Sequence, residues 1–83
     1  MELAERVRKT ADLFNVNVKM LEGTVLSSGE KQVVELAKMY ASDTESWIKK
    51  EDYVTAFSSI EYAHGLLDAI LKIKGKDPYE KHK

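Results

Sequence analysis

The chain has no cysteine among its 83 residues, which excludes disulfides and thiolate metal sites and gives no reason to place it in an oxidising compartment. It has no apolar run near the roughly 20 residues that a membrane-spanning helix needs. The amino-terminal MELAERVRK is charged from its second residue and has no signal-peptide apolar core, so a cytoplasmic protein is expected. Charge of one sign is lacking too. Thirteen Lys and Arg face fourteen Asp and Glu, a net charge of -1, where nucleic-acid binding calls for a basic excess or stripe. Strand-type alternation is absent, and nothing repeats at an interval of about 30 to 45 residues. Gly-rich phosphate loops, nucleophile motifs and paired metal-binding histidines are missing as well.

What is present is apolar enough to fold. The apolar fraction is 43% and the charged fraction 33%, a highly charged globular chain long enough for one domain and one modest core. Apolar residues recur at spacings of three and four in three stretches, the pattern of amphipathic helices. In the first, residues 2–22, Leu3, Val7, Thr10, Phe14, Val18 and Leu21 share a face. Asn15, Val16, Asn17 and Val18 are mediocre helix formers, so packing must hold this helix. The second, about 28–50, aligns Val33, Val34, Ala37, Tyr40, Ala41, Thr44, Trp47 and Ile48. Ser27-x-x-Glu30 before it fits a capping box with Leu26 as the staple residue, and Val25 and Leu26 are expected to tuck under the domain.

The third stretch is DYVTAFSSIEYAHGLLDAILKIK, residues 52–74, begun by Asp52 as N-cap and ended by Gly75 and Pro78. Its main face carries Tyr53, Ala56, Phe57, Ile60, Ala63, Leu67, Ile70 and Leu71, with His64 on that face and Asp68 at its edge. On the opposite side Tyr62, Leu66, Ala69 and Ile73 form a second stripe around Gly65. A helix that is apolar on two sides is either well enclosed or has two partners. The short connection at 49–52 makes the second and third helices antiparallel neighbours. The expected fold is all-α, an antiparallel three-helix bundle over residues 1–75 with a polar tail at 76–83. Trp47, Phe57, Ile60 and Leu67 are expected to lie buried between all three helices.

Candidates for chemistry are few. Glu61, His64 and Asp68 lie within two turns of one helix, and Asp43 on the second helix could add a carboxylate. Two ligands on one helix face are half a metal site, but the remaining histidine, His82, is in the tail. The reading favoured here is a core-edge histidine bonded to Asp68 or to a tyrosine. No cofactor or metal site is therefore assigned. An enzyme or metal-binding protein using Glu61, His64 and Asp68 stands as the alternative. Tyr62, Gly65, Leu66, Ala69 and Ile73 are the candidate interaction surface. Gly65 in mid-helix costs about 1 kcal/mol relative to Ala, which suggests another backbone passing closely; an isologous homodimer would cover the stripe, with the tail folding back through Pro78 and Tyr79 as the alternative cover.

Tyr40-x-x-Asp43, Glu51-Asp52-Tyr53-x-x-Ala56-Phe57 and Tyr62-Ala63-His64-Gly65-x-Leu67-Asp68-Ala69 together resemble a small archaeal family, domain of unknown function 357. The resemblance covers about residues 28–74, and the YAHGLLDA run is its most specific part. It implies an archaeal cytoplasmic protein with a compact three-helix fold of the albumin-binding type. It implies no activity and no site residues. The expectation for function is a small helical module that binds itself or another protein through its third helix.

Overall fold

The structure, a computed structural model, describes residues 2–76. The tail residues named above, Pro78, Tyr79 and His82, lie outside the described residues. Three helices follow one another: α1 over Leu3–Met20, α2 over Ser28–Lys49 and α3 over Tyr53–Ile73. Together they form a three-helix bundle, and each begins and ends close to the expected positions.

The ends of α2 and α3 are fixed by their own side chains. Ser27 accepts from the Glu30 amide at 3.2 Å while its own amide donates to Glu30 Oε1 at 2.8 Å, completing the capping box. Asp52 accepts from the Thr55 amide at 3.1 Å and from the Thr55 hydroxyl at 2.8 Å. Two amide groups are thereby satisfied at the start of α2 and one at the start of α3. Lys74 Nζ reaches Glu30 Oε1 at 2.7 Å, so the beginning of α2 is tied to the end of α3. The bonds from Lys74 and the Ser27 amide hold the Glu30 carboxyl below its ordinary value of 4.5. Those from Thr55, the backbone amide first, lower Asp52 from 3.8. In contrast, Glu2 at the start of α1 makes no side-chain capping bond.

Both α2 and α3 close in the same way. The Asp52 amide bonds the Trp47 carbonyl and the Glu51 amide the Ile48 carbonyl; Lys76 to Leu71 and Gly75 to Lys72 repeat the pattern at the end of α3. This paired arrangement needs a left-handed residue just past the helix. At α3 that residue is Gly75, with φ 74°; at α2 it is Glu51, with φ 60°, a conformation costly for a residue with a Cβ.

The helices pack unequally. α3 lies against both of the others along its length, whereas α1 and α2 barely meet. The result is a slab of 37 × 29 × 16 Å with α3 in the middle. The α1–α3 seam runs parallel, with Thr10 beside Glu61 and Asn17 beside Asp68. The α2–α3 seam is antiparallel, with Tyr40 against Tyr62 and Glu30 against Lys74.

Val7 and Phe14 of α1, Val34 and Ala37 of α2, and Ala56, Ile60, Ala63, Leu67, Ile70 and Leu71 of α3 form the buried core. Ile60 and Leu67 are buried as expected, but Trp47 and Phe57 are only partly so. With α1 and α2 apart, neither ring is enclosed by three helices. Instead the Arg6 guanidinium stands 5.1 Å from the Phe57 ring centroid and Lys50 Nζ 4.9 Å from that of Trp47. Leu26 packs against the core, but Val25 does not tuck under the domain; it is 86% exposed.

Candidate interaction surface

The polar residues singled out on α3 do not gather with Asp43. Glu61, His64 and Asp68 occupy the flank of α3 that turns towards α1. Thr10 Oγ1 donates to Glu61 Oε1 at 3.2 Å, Asn17 Nδ2 donates to Asp68 Oδ1 at 3.3 Å, and His64 Nδ1 lies 3.2 Å from Asp68 Oδ2. His64 is buried, and Asn17 is wholly so. Asn17 Oδ1 and His64 Nε2 find no hydrogen-bond partner among the described residues. Asp43 lies at the other seam, between α2 and α3. Among the described residues no three His, Asp or Glu side chains come together as a group that could hold a metal ion. What this arrangement does chemically is tie α1 to α3. Asn17, whose poor helix propensity was its only mark in the sequence, is the residue that reading missed.

The second stripe of α3 is divided. Leu66 packs against the core, and the Tyr62 ring meets Tyr40 edge-on at 4.7 Å with 73° between the planes. Since α1 and α2 take opposite flanks of α3, its buried arc is wider than two adjacent neighbours would give. The rest of the stripe faces outwards: Tyr62 is 49% and Ile73 65% exposed, and Gly65 and Ala69 are exposed. A Cβ at Gly65 would meet nothing within 4 Å, so no backbone of the described chain explains that glycine.

A contribution from α2 extends this face. Leu36, Met39 and Tyr40 are exposed apolar or aromatic residues on that helix. Leu36 and Tyr40 are one turn apart on the same side, and Leu36 falls between the Tyr40–Tyr62 rung and the Glu30–Lys74 rung. It therefore lies alongside the part of α3 that carries Leu66 and Ile73. The outer side of the α2–α3 seam thus carries Leu36 and Tyr40 beside the second stripe of α3, while Met39 lies with Lys31, Gln32 and Glu35 on the surface of α2 itself. The sequence signal for these α2 residues was weak, because Leu36 and Met39 stand singly among charged neighbours.

Two recesses accompany these surfaces. Between α1 and α2 a cleft of about 390 Å³ has Ile60 as its floor and Phe14, Val18 and Ala41 in its walls. At the α2–α3 seam a notch of about 350 Å³ is lined by Tyr40, Asp43, Trp47, Thr55, Ser58 and Ser59. Both depend on how neighbouring helices are placed, which no single helix pattern discloses. Among the described residues no helix is long and apolar enough to cross a membrane.

No curated protein matches the chain. A family model does match, over residues 4–75, and its description is "Protein of unknown function (DUF357)"; the chain belongs to that family.

Proposed function

We propose that this protein is a small helical interaction module, working in an archaeal cytoplasm. It pairs with a second copy of itself through the outer face of α3 and the adjoining part of α2. The observation that carries this reading is that Tyr62 and Ile73 stand open beside Gly65 and Ala69 on α3, with Leu36 of α2 exposed alongside. Soluble monomers rarely present a contiguous apolar patch beyond a few hundred Å² without using it. The absence of a side chain at Gly65 and the small one at Ala69 let a second helix approach there. An isologous contact is the simplest cover, because one surface then serves both partners.

Sedimentation equilibrium tests it. The wild type is expected to be a dimer at micromolar concentration, and Ile73→Glu a folded monomer. Ile73 is 65% exposed, so the charge breaks the contact and spares the core. Leu66 is left intact because it packs inwards. A wild type that stays monomeric at high micromolar concentration would overturn the proposal.

A further inference from the structure

We infer that the notch at the α2–α3 seam is a binding site for a lysine or arginine side chain of a partner protein. The inference stands on residues other than those of the pairing surface, apart from Tyr40, and does not need self-association. The notch, about 350 Å³, has the volume of a small-ligand or side-chain pocket.

Its lining has one charge, the Asp43 carboxylate, and Asp43 has neither an ion pair nor a hydrogen bond with any described residue. Of the four hydroxyls of the wall, the three aliphatic ones each donate to a protein oxygen. Thr55 Oγ1 donates to Asp52 Oδ2 at 2.8 Å, Ser58 Oγ to the Val54 carbonyl at 3.2 Å, and Ser59 Oγ to the Tyr40 carbonyl at 2.8 Å. What these oxygens have left to offer is lone pairs. Beside the O–H of Tyr40 and the indole N–H of Trp47, the carboxylate and three hydroxyls with engaged protons leave the wall richer in acceptors than in donors, which suits a group that only donates. Lysine and arginine are the side chains of that kind.

The rings point the same way. Lys50 Nζ stands 4.9 Å from the Trp47 ring centroid, so the ring's role in the notch is apolar cover and the incoming charge is met by Asp43. Trp47 and Tyr40 supply apolar cover for the methylene stem while Asp43 meets the charged head. The notch opens at the rim of the α2–α3 seam, where a polypeptide lying along either helix can insert one side chain.

The test is a titration of the full chain followed by amide chemical shifts. The probe is a blocked alanine–arginine–alanine tripeptide, and the same peptide with citrulline in place of arginine is its neutral isostere. Saturable shifts at Asp43, Ser58 and Ser59 are expected with the arginine peptide. Affinity should fall about two- to fivefold with citrulline, and equally in Asp43→Asn, as expected for loss of one partly exposed charge pair. Asp43 is exposed, so the variant keeps its fold, and the citrulline comparison needs no variant at all. No saturable shift with millimolar peptide, or an equal response to both peptides, would overturn the site. A monomeric wild type would overturn the pairing proposed above and leave this result untouched.

Discussion

The α2–α3 hairpin and α1 are held by different means. In the hairpin each helix carries a side-chain cap, each ends in a paired carbonyl closure, and Glu30 and Lys74 join its open end. Both seam and ends are thus specified locally as well as by packing. α1 has no side-chain cap, contains the weak helix formers Asn15 to Val18, and packs substantially on one neighbour only. What fixes it is tertiary: Val7 and Phe14 in the core, and the polar row Thr10–Glu61 and Asn17–Asp68. The hairpin also carries both surfaces proposed to meet partners. The difference teaches that this fold is a two-helix platform with a third helix laid along it.

The largest effect should come from a residue both halves share. Leu67, wholly buried on α3, is such a residue. Leu67→Ala should cost about 2–5 kcal/mol, a large part of the stability of so small a domain, and lower the urea midpoint for the whole chain together. Next comes a change aimed at α1. Asn17→Ala strips Asp68 of its α1 donor, and should cost about 1–3 kcal/mol. The loss should appear as faster amide exchange along α1, with the amides of α2 and α3 little altered. Uniform acceleration across all helices would mean that α1 is not a separate unit.

Acid should act on the hairpin. The folded-state carboxyls of Glu30 and Asp52 lie below their ordinary values of 4.5 and 3.8, so their bonds add stability that is complete above those values. It is lost as pH falls through the lowered folded-state values, since the unfolded chain binds protons first. Urea midpoints should therefore drop on acidification below about pH 4.5. In Glu30→Gln the drop should be shallower, and an unchanged profile would remove the ion pair from the account. The smallest effect has the opposite sign. Glu51 sits at φ 60°, so Glu51→Gly should stabilise the hairpin by about 0.5–1 kcal/mol, read as a higher midpoint.

Much of this architecture was legible in the sequence, because helix periodicity and capping chemistry are local. Ser27 and Glu30, Asp52, and Gly75 announced their roles by type and spacing. What was not legible is how neighbours divide a helix surface. A wheel shows that α3 is apolar on two sides but not that α1 and α2 stand apart, and that fact makes Leu66 inward and leaves Trp47 and Phe57 at the edge. Asn17 was hidden for the same reason, since a buried amide needs a partner on another helix. His64 and Asp68 could be paired from their spacing, whereas Asp43 belongs to the opposite seam. Glu51 carried no sign of its left-handed backbone, because the turn and not the residue sets it.

Native-state hydrogen exchange in low denaturant tests the two-part account most directly. The account predicts that the amides of α1, around Phe14 and Asn17, exchange through a partial opening. That opening should lie clearly below the free energy of global unfolding reported by Ala37 and Ala63 at the α2–α3 core. If α1 and the hairpin exchange through one shared opening of the same free energy and the same denaturant dependence, the platform and its third helix are a single unit and the account is wrong.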